Sequence, residues 1–502
     1  MAAICVDAGT TVIKAVGYDD GGRETVVVRQ PAHVLHPKPG WAEQDMMQVR
    51  NSVFGVVRAV ANQLPGRVEF LAVTAQGDGA WLIDHTGAPT GHAVLWNDSR
   101  ATSIVEQWSG AGLLAEAYRR NGSVTFAGLP NAILSWMRAH DPGRLAASAA
   151  LLTCGGWLFG QLAGVVIMEE SDASAPFGNP HNRSHYDPQL LELFDLAWAE
   201  RLLPPVADGG RRVAPLCDGV AAEVCLPAGT PVVAAPYDIA STAIGVGAIQ
   251  PGQACCILGT TLCTEVVTDR VTLGPEPLGL TVSLGVAGHH LRAMPTLAGT
   301  QVLTWATEQL GLTRPNQLIE LANHARPGAS GLVFLPYLSP AGERAPFVAP
   351  QACGALLGLC LEHGREEFAR AVVEGLTLVI RDCLAACGVT PAELRICGGG
   401  AANDDWAQLI ADIVGLPVRR CTDTETGARG AYVVGRVATG AMASAEEAVA
   451  QYVNIRDPFE PDPALTPRYD DLFGRFVQLR QHAAGGWPQL AALRQEANVG
   501  HA

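Results

Sequence analysis

The chain opens with a hydrophobic pattern that predicts two strands joined by a tight turn. Residues 4–6 are apolar, Asp7 follows them, and a Gly-Thr-Thr turn at 9–11 leads into a second, mostly apolar run at 12–18. The segment 256–262 has the same pattern, an apolar strand closed by Gly-Thr-Thr. Because each half of the chain carries one copy, the pattern predicts two related domains.

Elsewhere, segments with helical spacing alternate with short apolar segments, which is typical of a sheet covered by helices. The apolar positions between 49 and 64 keep helical spacing until Pro65 and Gly66 end the pattern. Asn403 is predicted to cap the helix that follows it. The other predicted elements are strands at 68–74, 81–83, 231–235 and 394–397, and helices at 368–383, at 404–414 and from Tyr469 onward.

The chain is long enough for two domains. Its 502 residues exceed what one hydrophobic core usually serves. We place the domains at 1–247 and 248–445, followed by a helical tail at 446–502 that packs on the second domain. Hydrophobic residues make up 48% of the chain and charged residues 17%, so an α/β architecture with buried sheets is expected.

Charge and hydropathy exclude several classes of protein. The net charge is −15 and basic residues form no run longer than a pair, which disfavours nucleic-acid binding. No apolar stretch reaches about 18 residues without polar interruption, and the N-terminus has no basic leader, so no membrane association is expected. We therefore expect a soluble cytoplasmic protein.

The cysteines predict free thiols. There are 13, an odd number, and most lie inside apolar runs, which fits a reducing compartment better than a disulfide framework. No Cys-x-x-Cys pair occurs, and Cys383 and Cys387 share a predicted helix face. His181 and His185 lie four residues apart in a polar, loop-like stretch. No zinc site is therefore predicted.

The Gly-Thr-Thr turns have the composition of a phosphate-binding loop. Glycine lets backbone N–H groups approach a phosphate, and the threonines add hydroxyl donors. Asp7 places a carboxylate where a hydrated Mg²⁺ would bind. A hairpin turn explains either copy alone equally well, so the duplication is what favours nucleotide binding. The glycines at 398–400, ahead of a predicted helix, are read either as a nucleotide loop or as a tight strand-to-helix turn.

Several further motifs occur together in this chain. They lie at residues 39–45, 76–79, 95–100, 236–238, 342–346, 354–359 and 367–374. With the two turns, they resemble the FGGY carbohydrate kinases over most of the chain. The resemblance implies an α/β fold of two duplicated ribonuclease-H-like domains, as in actin-like ATPases, with a nucleotide and substrate cleft between them. One position departs from the family, since Ile133 stands where a lysine is usual.

The resemblance also implies roles in ATP-dependent phosphoryl transfer. The base that takes the hydroxyl proton is matched by Asp238, which the residues alone also allow as the N-cap of a helix at 240–247. Asp7 is matched to Mg²⁺, directly or through water. Lys14 is read either as a nucleotide ligand or as a solvated strand residue. The implied nucleotide-binding residues are Gly9, Thr10, Thr11, Lys14, Gly259, Thr260, Thr261, Gly399, Gly400 and Asn403.

The loop after the third strand is implied to bind a small sugar or polyol. Asp78 can accept two hydroxyl hydrogen bonds, Gln76 can donate and accept, and Gly77 lets the chain come close. Trp96 is read either as a surface for the substrate's carbon skeleton or as a core tryptophan. Together with Asp238, these four residues form the predicted substrate site.

The substrate loop separates this chain from two branches of the family. Glycerol kinases carry Arg-Glu, and D-xylulose kinases Met-His, where this chain has Gly77 and Asp78. Residues 76–81 are most similar to erythritol kinases, and residues 238–243 are similar to L-xylulose kinases. We therefore expect a kinase of erythritol or another C4–C5 polyol, with a ketopentose kinase of the L-xylulose type as the alternative.

Two other classes of protein are disfavoured by these residues. A non-catalytic sugar sensor is disfavoured by the presence of Asp7, Asp238 and both Gly-Thr-Thr turns, and by the lack of an appended DNA-binding segment. An actin-like assembly protein would have no use for the loop at 76–78. FGGY kinases are often dimers, so a homodimer belongs to the expectations as well.

Overall fold

The computed structural model describes residues 2–182, 185–207, 209–271, 273–274 and 276–499. The strands in these residues are β1 (Ala2–Ala8), β2 (Val12–Tyr18), β3 (Glu24–Pro31), β4 (Glu43–Gln44), β5 (Val68–Ala75), β6 (Trp81–Ile83), β7 (Ala93–Val94), β8 (Ala150–Leu152), β9 (Met168–Glu169), β10 (Val206–Ala207), β11 (Val213–Pro215), β12 (Pro231–Ala234), β13 (Gln253–Leu258), β14 (Leu262–Thr268), β15 (Leu280–Ser283), β16 (His290–Pro295), β17 (Val333–Leu335), β18 (Ala355–Leu357), β19 (Glu393–Cys397) and β20 (Val418–Arg419).

The α-helices of the same residues begin with α1, which follows β4. They are α1 (Met46–Ala61), α2 (Thr102–Gly110), α3 (Leu113–Asn121), α4 (Pro130–His140), α5 (Pro142–Ala147), α6 (Cys154–Ala163), α7 (Glu170–Ala173), α8 (Pro188–Leu193), α9 (Asp218–Val224), α10 (Asp238–Gly245), α11 (Thr300–Gln309), α12 (Pro315–Ala322), α13 (Arg365–Ala386), α14 (Asp404–Val414), α15 (Thr426–Ala438), α16 (Ala445–Tyr452), α17 (Thr466–Ala484) and α18 (Trp487–Val499).

The chain divides into two compact units. One contains residues 1–251, 267–291 and 425–454, and the other contains residues 252–266, 292–424 and 455–502. Each unit therefore draws on separate stretches of the chain. The domain boundaries expected from the sequence stay a prediction.

A mixed sheet forms the centre of the first unit, with the strand order β11-β12-β5-β1-β2-β3. β1 and β2 are antiparallel and place Asp7 opposite Lys14. β5 runs parallel to β1, with Thr74 beside Asp7, and β12 runs parallel to β5. Because the carboxyl ends of parallel strands meet at one edge of a sheet, the segments that follow β1, β5 and β12 lie together there.

The helix α1 covers this sheet as its apolar spacing predicts. It begins after Asp45, whose Oδ1 accepts the Gln48 N–H at 3.1 Å. A valine stripe from Val49 to Val60 is buried in the core of the unit. The local pattern thus predicted both the cap and the buried face.

The second unit repeats the strand arrangement in the order β14-β13-β19-β20. β13 and β14 are antiparallel, with Leu258 opposite Leu262 across the second Gly-Thr-Thr turn. β19 is parallel to β13, with Cys397 beside Ile257. The turn after β13 and the glycine loop after β19 therefore share one edge of this sheet, which confirms the predicted duplication and α/β fold.

The C-terminal helices contribute a buried polar contact within the second unit. Helix α17 packs against α13 and α14. The Tyr469 hydroxyl donates to Glu374 Oε1 at 3.0 Å and accepts from Arg370 Nη2 at 2.6 Å. The predicted tail helix begins three residues before Tyr469, at Thr466, and a further helix, α18, follows it.

Two further expectations concern the cysteines and the apolar helices. All thirteen cysteines are free thiols, as their positions in apolar runs predicted. Among the residues described above, no helix is long and apolar enough to span a membrane.

Candidate active site

The edge of the first sheet gathers four acidic side chains from distant parts of the chain. Asp7 is the next-to-last residue of β1, Asp78 follows β5, Asp238 follows β12, and Glu425 precedes α15. The sheet topology brings them together, because β1, β5 and β12 are parallel neighbours. This edge is the candidate active site of the first unit.

Asp7 is held in an ion cluster at this edge. The Lys14 Nζ lies 3.5 Å from Asp7 Oδ2 and 3.0 Å from Glu425 Oε2. Arg29 also pairs with Glu425. Burial raises the pKa of Asp7, an effect that Lys14 opposes. Burial alone would raise the pKa of Glu425 too, but the cations Lys14 and Arg29 hold it below its usual value.

Lys14 therefore has two carboxylate partners in this structure. The same charges hold the pKa of Lys14 above its usual value, although burial acts to lower it. A Cβ built on Gly427 would lie 2.9 Å from Asp7 Oδ2, so this glycine lets the start of α15 approach the carboxylate. Glu425 and Gly427 were not among the site residues expected from the sequence.

The first Gly-Thr-Thr turn is a compact hairpin turn with an exposed tip. The Gly9 N–H donates to the Val12 carbonyl at 3.1 Å, and a Cβ on Gly9 would lie 3.1 Å from that oxygen. Thr11 is exposed, whereas Thr10 is half-buried and turns toward the loop after β5. The tip thus presents backbone and one hydroxyl to solvent.

A side-chain network joins this turn to the predicted substrate loop. The Thr10 hydroxyl donates to Gln76 Oε1 at 2.7 Å and accepts from Trp96 Nε1 at 2.9 Å. Gln76 Nε2 donates to Gln44 Oε1 at 2.8 Å, and Gln76 is only 2% exposed. The amide of Gln76 is thereby engaged inside the protein on both its oxygen and its nitrogen.

The residues after Gln76 have a tightly fixed backbone. A Cβ on Gly77 would lie 2.4 Å from the Tyr237 ring, and one on Gly79 would lie 2.5 Å from the Val94 carbonyl oxygen. Asp78 between them has φ of 54°, in the left-handed region that few non-glycine residues adopt. This backbone holds the half-buried Asp78 carboxylate at the sheet edge.

Asp238 is the first residue of α10, not the cap of a later helix as one reading of the sequence had it. The preceding Pro236 carbonyl accepts from the Thr74 and Ser241 hydroxyls, each at 2.6 Å. Burial raises the pKa of Asp238 to about 8, the Asp7 and Asp78 charges act in the same direction, and a hydrogen bond from the Ile239 N–H opposes them. The carboxyl group is therefore poised to exchange a proton near neutral pH.

The loop that carries Asp238 is anchored to α7. The Tyr237 N–H donates to Ser171 Oγ at 2.9 Å, and the Ser171 hydroxyl donates to Glu169 Oε2. Glu169 is buried and its Oε1 accepts from Arg212 Nη2 at 3.0 Å. A buried ion pair thus fixes the serine that positions the Asp238 loop.

Helices α10 and α15 meet backbone to backbone. A Cβ on Gly245 would lie 1.8 Å from the Thr426 carbonyl oxygen, and one on Gly430 would lie 1.8 Å from the Ser241 carbonyl oxygen. Only glycine allows this approach, which sets the start of α15, near Asp7, against the helix that starts at Asp238. The closely spaced glycines of α15 were the available sequence signal for such a contact.

In the second unit, the turn at Gly259 lies under the start of α11. The Thr300 N–H and hydroxyl donate to the Gly259 carbonyl at 3.0 and 2.8 Å. A Cβ on Gly299 would lie 2.2 Å from the Thr260 carbonyl oxygen, so the turn and the helix start are in direct contact. Thr260 at the tip is exposed, like Thr11 in the first unit. Sequence reasoning missed Gly299 and Thr300.

The glycine loop after β19 packs on the same strand end. A Cβ on Gly400 would lie 3.0 Å from Leu258 Cβ and 2.5 Å from the Trp406 ring. Gly399 has open space around it. Asn403 Oδ1 accepts the Trp406 N–H at 2.9 Å, which confirms the predicted helix cap. Gly259, Gly399 and Asn403 are therefore grouped at one edge of the second sheet.

Both halves of the chain match one family. Residues 2–245 match the N-terminal domain, and residues 254–439 the C-terminal domain, of the FGGY family of carbohydrate kinases. The chain belongs to this family. As an FGGY kinase, it is an enzyme that phosphorylates a sugar or polyol.

Two relatives of this FGGY kinase span almost the whole chain. An erythritol kinase of Brucella abortus (strain 2308) is 33% identical over 513 residues, covering 97% of this chain and 98% of the relative. An L-xylulose/3-keto-L-gulonate kinase of Escherichia coli (strain K12) is 30% identical over 488 residues, covering 94% of this chain and 95% of the relative.

The fold of this FGGY kinase is also found among solved structures. A ligand-bound xylulose kinase from Lactobacillus acidophilus has a TM-score of 0.92 at 23% identity, covering 97% of this chain and 99% of the other. At that identity the likeness shows the fold, which is the actin-like ATPase fold expected from the sequence.

Proposed function

We propose that this FGGY kinase transfers the γ-phosphoryl group of ATP to a terminal hydroxyl of erythritol or another C4–C5 polyol. The observation that carries the proposal is Asp238, an acid with a pKa of about 8 at the edge where β1, β5 and β12 end. A carboxylate with that pKa is a competent general base at neutral pH.

Asp238 acts as the base in this proposal. The polyol oxygen attacks the γ-phosphorus, the bond from that phosphorus to the β,γ-bridging oxygen breaks, and the hydroxyl proton goes to Asp238. Such transfer needs mainly positioning and charge neutralisation from the protein. The Ser171 and Thr74 contacts to the Asp238 loop supply the positioning.

The nucleotide is assigned to the two turns and the glycine loop. Exposed tips at Thr11 and Thr260 support phosphate binding by backbone N–H groups and hydroxyls. The start of α11 under the second turn adds the positive end of a helix dipole. The open space at Gly399 supports contact of the adenosine with Gly399, Gly400 and Asn403.

Asp7 is assigned to Mg²⁺ through water. In the described part of the chain no three His, Cys, Asp or Glu side chains are arranged as a ligand set. A single half-buried carboxylate suits an ion that keeps most of its water. When bound, the ion neutralises phosphate charge. Lys14 is assigned to the same end of the nucleotide, since it already neutralises Asp7 and Glu425.

Asp78 is assigned to the substrate hydroxyls, with Trp96 beside the carbon skeleton. Gln76 contributes by holding the loop, because its amide is engaged with Thr10 and Gln44, and Gly77 lets the loop pass close to the Tyr237 ring. Carboxylates as hydrogen-bond acceptors suit a ligand that offers hydroxyl donors. The 33% identity to an erythritol kinase supports the C4 polyol.

A ketopentose of the L-xylulose type is the second candidate substrate. It is supported by the 30% identity to the L-xylulose/3-keto-L-gulonate kinase. A ketopentose differs from the matching C5 polyol in one group, since it presents a carbonyl, which needs a donor, where the polyol presents a hydroxyl.

The test is ADP release with Mg²⁺-ATP across glycerol, erythritol, D- and L-threitol, ribitol, xylitol, the arabitols and the matching ketopentoses. We expect turnover with C4–C5 polyols and a phosphomonoester product at a terminal carbon. The Asp238→Ala protein is the matched control for contaminating kinases. Turnover confined to ketopentoses would replace the polyol assignment, and ATP binding without turnover on any acceptor would favour a sensor.

A further inference from the structure

Asp172 is a buried acid that neither the sequence motifs nor the proposed function uses. It lies on α7, next to the anchoring Ser171, and is 8% exposed. Its Oδ1 makes no hydrogen bond with any described residue. A buried acceptor without a hydrogen-bond partner costs free energy. An aspartate at this position therefore indicates a hydrogen-bond donor that comes from outside the protein.

Asp172 faces the predicted substrate site. A Cβ on Gly155 would lie 3.6 Å from Asp172 Oδ2 and 3.7 Å from Ala75 Cβ, so the carboxyl group lies beside the end of β5. The loop with Asp78 starts at that strand end. Burial raises the pKa of Asp172 well above its usual value, and Glu169, Asp78 and Asp238 add to this, which places all three acids in its electrostatic neighbourhood.

A second buried side chain, that of Cys154, lies in the same region as Asp172. Cys154, the first residue of α6, is buried and lies near the same groups: burial raises its pKa, the charges of Asp172 and Asp238 act in the same direction, and the Gln76 side chain opposes them. Cys154 therefore lies in the neighbourhood of Asp172, Asp238 and Gln76. Thr153, just before α6, lies near the Asp172 carboxyl group and acts to lower its pKa.

The position of Asp172 relative to Asp238 is also fixed. Ser171 accepts the Tyr237 N–H at 2.9 Å, which ties α7 to the loop that carries Asp238. One hydrogen bond between segments 66 residues apart thus ties the helix of Asp172 to the loop of Asp238.

We propose that Asp172 is a further substrate-binding residue, whose unpaired oxygen accepts a hydrogen bond from an acceptor hydroxyl that is not the one phosphorylated. The inference rests on the proposed function for the location of the acceptor. With Asp78 on one hydroxyl, Asp172 on a second and Asp238 on the reacting one, the site selects acceptors with three or more hydroxyls.

The experiment combines variants of Asp172 with acceptors that lack one hydroxyl. Wild type, Asp172→Ala and Asp172→Asn are assayed with erythritol, with butane-1,2,4-triol, which lacks an internal hydroxyl, and with butane-1,2,3-triol, which lacks a terminal one. We expect Asp172→Ala to raise the KM for erythritol at least tenfold and to change kcat less than threefold. Asp172→Asn keeps an acceptor oxygen and should restore most of the loss.

The deoxy acceptor that lacks the contacted hydroxyl should no longer distinguish wild type from Asp172→Ala. Glu170→Gln, which removes a neighbouring charge on the same helix, is the control and should leave the KM within threefold. Should Asp172→Ala fail to fold, Asp172→Leu, which is larger and carries no acceptor oxygen, supplies the same comparison. An unchanged KM, or an equal loss on every acceptor, overturns the inference.

The polyol assignment and the role of Asp172 can be rejected independently of each other. If wild type phosphorylates only a ketopentose, the polyol assignment is wrong, and the KM of that ketose for the same variants still decides the role of Asp172. If calorimetry finds no panel member bound to wild type, both proposals are rejected.

Discussion

The Thr10 hydroxyl donates a hydrogen bond to Gln76 Oε1 across 2.7 Å, joining the first Gly-Thr-Thr turn to the loop after β5. The same hydroxyl accepts from Trp96 Nε1 at 2.9 Å. One threonine therefore connects the segment assigned to the nucleotide with Gln76, which holds the substrate loop, and with Trp96, which is assigned to the substrate. We expect changes at Thr10 to affect the KM of both substrates.

Thr10→Val removes this connection at nearly constant volume. Gln76 then loses a partner for a buried oxygen, and we expect the KM for ATP and for the polyol each to rise, with a lower melting temperature. Thr10→Ser keeps the hydroxyl and is the matched control. In a double-mutant cycle with Gln76→Leu, the coupling should be about 0.5–3 kcal/mol, as for residues in one network. Strict additivity would show that the two side chains act independently.

Asp238→Ala should abolish phosphoryl transfer without abolishing nucleotide binding. General-base catalysis contributes about 10²–10⁴-fold, and a fall in kcat of at least that size is expected. Calorimetry with ATP should give a dissociation constant close to that of wild type. Near-normal turnover would remove Asp238 from the mechanism.

The raised pKa of Asp238 sets the pH dependence. The base must be deprotonated, so log(kcat/KM) should rise with pH with a slope near one and level off above about 8. A profile that is flat from pH 6 to 9 would contradict this assignment.

The stability of the folded protein should also depend on the Asp238 carboxyl group, but it should fall, not rise, with increasing pH. Because the folded-state pKa lies above the unfolded value, the stability that Asp238 contributes is present at low pH and is lost as pH rises through about 8. The Asp238→Asn variant has no titrating group at this position, so the difference between its melting temperature and that of wild type should shift in its favour between pH 5 and 8.5. A constant difference across that range would mean that the carboxyl group has an ordinary pKa.

Asp78 should control polyol affinity. Asp78→Asn keeps a side chain that tolerates φ of 54° and keeps one acceptor oxygen, so it should fold like wild type and raise the polyol KM only a few-fold. Asp78→Ala should raise the polyol KM about tenfold or more and also lower the melting temperature, because alanine is strained in that backbone conformation. An unchanged KM in both variants would place the hydroxyl contacts elsewhere.

The glycine contact between α10 and α15 should be intolerant of a methyl group. Gly430→Ala puts a Cβ 1.8 Å from the Ser241 carbonyl oxygen, and the resulting shift should cost about 1–3 kcal/mol or more of unfolding free energy. Gly474→Ala, in α17 with nothing within 4 Å of its Cβ, is the control and should stabilise by about 0.5–1 kcal/mol. Chemical denaturation measures both changes, and equal effects would contradict the close contact.

Local chemistry was readable from the sequence where neighbours along the chain decide it. The strand-turn-strand pattern around Gly9, its repeat around Gly259 and the caps at Asp45 and Asn403 depend on backbone preferences over a few residues. The apolar stripe of α1 is similarly local. The family motifs added the expectation of a kinase, which the family match confirmed.

The partners of the site residues were decided by the tertiary structure. Glu425 reaches Lys14 from a segment 411 residues away, and Arg29 reaches Glu425 from 396 residues away. Gly430 is required only because α15 crosses α10. Asp172 lies on a helix, α7, that is tied to the Asp238 loop because Ser171 accepts the Tyr237 N–H. The positions of these residues along the chain do not indicate that they are in contact.

The sequence by itself thus determined which elements form, which turns suit a phosphate and which family the motifs resemble, because short-range sterics and hydrogen bonding fix these. The order of strands in the sheet decided which side chains share an edge, and with it the raised pKa of Asp238, the internal engagement of Gln76 and the pairing of Lys14. Burial and long-range charge exist only once the chain is folded, so these properties had to come from the tertiary structure.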